Sequence, residues 1–99
     1  MTTVALARRA ARQATQVDAW WRENRTASPD LFASEFAAAI AALSAAPEMG
    51  QRFDDAGSTG IRRLLLRATQ FHIYYDYDGS IVRIVAVWSC LRGRGPGLS

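Results

Sequence analysis

The side chains best equipped for chemistry in this sequence are its arginines. All 12 basic residues are arginine, and lysine is absent. A guanidinium keeps its charge at any physiological pH and can grip phosphate or carboxylate through two parallel hydrogen bonds. Six of them from the last forty residues, Arg62, Arg63, Arg67, Arg83, Arg92 and Arg94, are candidates for holding an RNA backbone or an acidic protein surface. Genomic composition explains a lysine-free chain equally well, and two or three of the six serve as readily to solvate an exposed face.

Cleaving RNA through the ribose 2′-hydroxyl needs a base for that hydroxyl, a cation for the developing charge and an acid for the leaving oxygen. Cations are plentiful, and the proton-transfer groups are few. His72 is the one histidine, and it alternates out of phase with the expected core residues Phe71, Ile73 and Tyr75. Tyr74 shares its face, as does Asp76. A lone strand histidine is more often a surface or hydrogen-bonded residue, but His72 and Tyr74 are the acid/base candidates. Cys90 stands near Arg92, and nearby cations favour a thiolate nucleophile. A small half-buried filler is the commoner role for such a cysteine. Asp54, Asp55, Asp76 and Asp78 match no metal-loop spacing and fit turns and solvated surface, so neither a metal nor a cofactor is assigned.

These groups have to be held by a single domain. The chain has 99 residues, 49% hydrophobic and 21% charged, with a net charge of +3. That is globular composition, long enough for one core and too short for two. The basic balance points to a polyanionic target or an acidic partner. One cysteine permits no intramolecular disulfide, which suits a reducing cytoplasm. The first eleven residues lack the apolar run of a signal peptide, and no stretch reaches the roughly 18 apolar residues of a membrane span. The expectation is a soluble, unprocessed cytoplasmic protein.

The elements follow from periodicity. Thr2 to Leu6 reads as a short strand. Ala10, Ala14, Val17 and Trp21 repeat at helical spacing and predict a helix to about Asn24. Ser28, Pro29 and Asp30 form a helix start with serine as N-cap, and Phe32, Phe36, Ile40 and Leu43 line the next helix, which ends before Pro47 and Gly50. Two helices joined so closely predict an antiparallel hairpin. Trp20 and Trp21 point about 100° apart on their helix, which assigns one to the core and the other to an edge or interface. Ile61 to Arg67, Phe71 to Tyr77 and Ile81 to Trp88 predict a three-stranded antiparallel meander, with Asp78-Gly79 as a tight type I′ turn. The fold class is α+β, with residues 1–91 as the domain and 92–99 as a basic Gly/Pro-rich tail, mobile or ordered by a partner.

Several stretches carry a resemblance. Ala10 opens the first helix, Leu43-Ser44-Ala45-Ala46-Pro47-Glu48-Met49-Gly50 leaves the second, Gly60-Ile61-Arg62-Arg63-Leu64 enters a strand, and Phe71-His72-Ile73-Tyr74-Tyr75-Asp76-Tyr77-Asp78-Gly79 forms the next with its turn. Ile84-Val85-Ala86-Val87-Trp88 and Leu91-Arg92-Gly93-Arg94-Gly95-Pro96 close the series. In this order, over nearly the whole chain, they resemble the RelE/ParE superfamily of toxins from type II toxin–antitoxin (plasmid stabilisation) systems. The resemblance implies a cytoplasmic toxin neutralised by a cognate antitoxin in a hetero-oligomer. It leaves three readings open. ParE-like members resemble growth inhibitors that act on DNA gyrase or a similar protein target. RelE-like members look like ribosome-dependent endoribonucleases acting on mRNA. A basic binding module without activity is the third. Superfamily nucleases carry a histidine just after the last strand and tyrosine or lysine near the terminus; here Ser89 and Cys90 follow that strand and neither tyrosine nor lysine lies beyond, a departure that favours the ParE-like reading.

Overall fold

Among the described residues a strand and two helices come first, and four strands follow. The computed structural model describes residues 1–53, 60–92 and 95–98. Its elements are β1 (Thr3–Leu6), α1 (Arg8–Asn24), α2 (Leu31–Ala45), β2 (Gln51–Arg52), β3 (Ile61–Leu66), β4 (Phe71–Tyr77) and β5 (Ile81–Ser89). The strands form one sheet in the order β1-β5-β4-β3-β2. The expected meander is present, since β3 pairs antiparallel with β4 and β4 with β5. Two features correct the expected architecture. β1 joins the sheet parallel to β5, making the sheet mixed, and β2 adds a fifth strand antiparallel to β3. The chain leaves β1 straight into α1, and Ala7 N–H extends the ladder by one bond to the Ile84 carbonyl at 2.8 Å before the helix begins.

The helices cover one face of the sheet. Ala10 and Trp21 of α1 and Phe32, Ala39 and Leu43 of α2 pack on Leu66, Ile73, Tyr75, Val82, Ile84 and Val87, with Ala14, Val17, Phe36 and Ile40 partly buried beside them. The residues expected to line the two helices therefore do so. The start of α2 lies later than expected. Residues 28–30 form a turn and the helix begins at Leu31, because the Ser28 carbonyl accepts from Leu31 N–H at 3.2 Å and from the Trp21 indole N–H at 3.0 Å. Asp30 takes the N-cap position without a side-chain cap bond, and its carboxylate pairs with Arg22 at 2.7 Å.

Two turns set the far ends of the sheet. The β4–β5 hairpin is as expected, but its turn is not type I′: Gly79 has φ +91° while Asp78 does not enter the left-handed region. Instead the Asp78 carboxylate accepts from both Ser80 and Ile81 N–H at 2.8 Å, a side-chain-closed turn of the kind aspartate favours. At the β3–β4 turn, Glu35 of α2 accepts from Ala68 N–H, Thr69 N–H and the Thr69 hydroxyl at 2.6–3.0 Å. A carboxylate thus fixes α2 to the sheet from the side.

A bulge in β5 decides what the other face shows. Tyr74 pairs with Ala86 but Tyr75 pairs with Ile84, leaving Val85 as the extra residue. An inserted residue inverts the alternation beyond it. Ile84 and Val87 can then both face the helices, while Ala86 and Trp88 turn to the open face with His72 and Tyr74. On that face Ile61, Tyr74 and Ala86 form a second small core with Phe53, Val85, Trp88 and Leu98. Leu98 belongs to the tail, Pro96 is buried, and the Arg9 guanidinium donates to the Gly97 carbonyl. Residues 95–98 of the tail lie against the domain, where Pro96 and Leu98 find apolar surface.

Candidate binding site on the open face of the sheet

β4 carries His72 and Tyr74 to the face away from the helices, β3 contributes Arg63 across from Tyr74, and the bulged end of β5 contributes Trp88 across from His72. With Phe53, Ser89, Cys90, Arg92 and Gly95 they line a cavity of about 230 Å³. His72 and Tyr74 meet edge to face at 5.9 Å between ring centroids, and Phe53 and Tyr74 do so at 5.1 Å.

The structure separates the six candidate arginines. Arg63 stays at the site, with its guanidinium 4.9 Å from the Phe53 ring centroid and a buried Nε that has no hydrogen-bond partner. Arg92 also stays, stacked over Trp88 at 4.3 Å. Arg62 lies on the opposite face, where it donates to the Glu48 carbonyl at 3.1 Å and the Gly50 carbonyl at 2.9 Å. Alternation along β3 requires this, because neighbouring residues point to opposite faces. Arg62 thereby holds the exit of α2. Arg67 is exposed in the β3–β4 turn, and Arg83 pairs with Asp76 at 3.3 Å. Arg94, like Asp54 and Asp55, lies outside the described residues. The arginines therefore do not form one shared concave surface.

Cys90 and His72 meet, a contact that no local spacing suggests. Cys90 Sγ lies 3.4 Å from His72 Nδ1, brought there by the inverted alternation after the bulge and by Cys90 N–H donating to the Gln70 carbonyl at 2.9 Å. Burial pushes the imidazole below its usual pKa, and the Arg63 charge adds to that. Burial pushes the thiol up, and Arg63 offsets this only in part. Both groups are held neutral, so the pair is an imidazole beside a thiol rather than an activated thiolate. Among the described residues no three histidine, cysteine, aspartate or glutamate side chains gather at a metal-binding spacing.

A second concavity lies at the edge between α1 and the sheet. Trp20, Trp21, Arg25, Phe71 and Leu91 help to line about 560 Å³. Trp21 is buried and Trp20 is 46% exposed, with the Arg25 guanidinium 5.1 Å from the Trp20 ring centroid and 5.7 Å from that of Trp21. One tryptophan thus serves the core and the other an edge. Leu91 is 85% exposed beside them.

The architecture has a solved counterpart. The structure of the chromosomal ParDE TA system from P. aeruginosa contains a chain that superposes with a TM-score of 0.69 at 15% identity, over 90% of this chain and 96% of that one. Likeness at this identity defines the fold. By sequence, the family model for the ParE toxin of the type II toxin–antitoxin system, parDE, matches residues 4–92. The chain belongs to the ParE toxin family, within the superfamily that its motifs resemble. Among curated proteins, none matches it. No helix among the described residues is long and apolar enough to cross a membrane.

Proposed function

We propose that this chain arrests growth by binding a protein target, DNA gyrase or a similar enzyme, and that a cognate antitoxin neutralises it in a hetero-oligomer. The observation that carries this reading is membership of the ParE family over residues 4–92. The chemistry of the open face supports it. His72 is held neutral beside a protonated thiol, Arg62 is committed to main-chain carbonyls, and Arg83 is paired with Asp76. The lowered pKa makes His72 a weaker base than an ordinary imidazole, and the committed guanidinium groups leave fewer cations for the charge that develops in RNA cleavage. The groove beside α1 supplies what a protein contact uses, an exposed tryptophan with arginine beside it, the residue types that anchor interfaces, next to an exposed leucine.

The test is induction of the chain alone in a bacterial host, with the integrity of messenger RNA and the DNA damage response followed together. Filamentation and a damage response with intact messages is the expected result, and purified protein should then inhibit gyrase supercoiling. Rapid ribosome-dependent cleavage of messages would replace this reading with the nuclease one, and unimpaired growth would leave an inactive module.

A further inference from the structure

Two hollows run into one another along α1. The first, of about 330 Å³, lies between Gln13, Gln16 and Trp20 of the helix and Val87, Trp88 and Ser89 of β5. The second is the concavity of about 560 Å³ at the end of the helix, and the two share Trp20, Phe71 and Ser89. Each exceeds the roughly 300 Å³ at which ligand sites begin. From Gln13 to the cap residue Arg25 the helix rises about 18 Å, the length of five or six residues of extended chain at about 3.3 Å each. The wall opposite α1 is a strand edge. β1 pairs with β5 only as far as Ile84, so beyond it the outer edge of β5 has no neighbouring strand among the described residues. Val87 and Trp88 both line the first hollow although adjacent side chains point to opposite faces, which means that it opens on the edge of the strand. There Val87 N–H donates to the Gln13 side-chain carbonyl at 2.8 Å, in the place a neighbouring strand's carbonyl would take. Ser89, two residues on, turns its main chain the same way. An edge closed by one side chain is open to an added strand.

The lining sets the chemistry of that strand. Arg92 stands in the first hollow and Arg25 in the second, and no described lining residue of either is a carboxylate. Neither arginine pairs with a carboxylate among the described residues. Guanidinium groups without acidic neighbours select carboxylates in whatever lies between them. Exposed Trp20 and Leu91 supply the apolar contact. The tail packs on the other face of the sheet and leaves this groove open in the isolated chain, the state that meets a target. We propose that the groove takes an extended acidic segment of the protein target, its main chain added to the free edge of β5. Its carboxylates meet Arg25 and Arg92, and one bulky apolar side chain lies between Trp20 and Leu91. This rests on the protein-target reading above and adds the surface used and the kind of segment bound.

Calorimetric titration of the full chain with the end-blocked peptide Glu-Asp-Leu-Phe-Asp-Glu, beside growth assays of variants, tests this. Saturable one-to-one binding with a Kd below about 1 mM is expected. Gln-Asn-Leu-Phe-Asn-Gln and Glu-Asp-Ala-Ala-Asp-Glu should each bind at least roughly tenfold more weakly. One of the two versions N-methylated on alternate amides should lose as much, because it cannot pair along the edge. Trp20→Gln, Arg25→Glu and Leu91→Ser all lie at exposed positions, so each should fold, bind the acidic peptide roughly tenfold more weakly and inhibit growth less than the parent. The proposal is overturned if the folded chain shows no saturable binding up to about 10 mM, or if the uncharged peptide or both N-methylated versions match the acidic one. Variants that inhibit growth as the parent does would also sink it, and loss of antitoxin binding by those same variants would make the antitoxin the occupant. Messages cut by the parent chain would remove the protein-target reading and this inference with it. Growth arrest with intact messages and no peptide binding would remove this inference alone.

Discussion

At the scale of single residues, the open face is governed by burial acting on two titratable groups. Burial and the Arg63 charge disfavour the imidazolium of His72, so as pH falls the unfolded chain takes up this proton before the folded one does. The stability carried by neutral His72 is complete above the ordinary imidazole value of about 6.5 and is lost as pH falls through the lower folded-state value. A urea midpoint that declines as pH falls below roughly 6.5, and a flatter profile in His72→Gln, are expected from denaturation followed by circular dichroism. Arg62 was a candidate for target contact by type and position, yet its two bonds to carbonyls at 48 and 50 give it a structural role. Arg62→Ala should lower stability by about 1–3 kcal/mol, the usual cost of losing hydrogen bonds made by a charged donor. Its growth inhibition should fall only in proportion to the folded fraction, so abolished toxicity in a variant with parental stability would return Arg62 to the functional surface.

At the scale of elements, the joints decide the geometry. The exit of α2 is fixed by a glycine. Gly50 N–H donates to the Tyr75 hydroxyl at 2.8 Å, and a Cβ there would come within 2.5 Å of that oxygen and 2.9 Å of the Arg63 carbonyl. Tyr75 is fully buried, so neither atom has room to retreat. Gly50→Ala is expected to cost about 1–3 kcal/mol through overpacking, read as a lowered thermal midpoint. A midpoint equal to the parent's would mean that the close approach is not maintained in solution. The bulge at Val85 is the other joint, since it places Trp88 opposite His72 and brings Cys90 onto the open face.

At the scale of the whole molecule, two layers leave one sheet face without helices, and the tail covers part of it. Pro96 is buried and Leu98 packs with Phe53, Tyr74 and Ala86. A chain ending at Arg92 should therefore remain folded but expose apolar surface, seen as increased binding of a hydrophobic dye. Unchanged dye binding would show that the tail does not cover this face in solution. The groove beside α1 keeps Trp20 and Leu91 exposed in the isolated chain. Poor solubility alone and recovery on co-expression with the antitoxin fit such a surface.

Much of this molecule was legible in the sequence because helix and strand periodicities are local. The faces of α1 and α2, the three meander strands and the placement of His72 opposite the core all follow from spacing within a single segment. The pairing of β1 with β5 joins residues nearly eighty positions apart, and no local pattern encodes whether such strands run parallel. The division of the arginines was half legible: alternation separates Arg62 from Arg63, but the partners that commit Arg62 and Arg83 come from other segments. The His72–Cys90 contact was not legible at all. One extra residue in β5 inverts which side chains face outward, and only the register against β4 shows where that residue lies. The composition supplied the kinds of groups available, and the tertiary structure decided which of them meet, because burial and pairing across the sheet are properties of distant segments brought together.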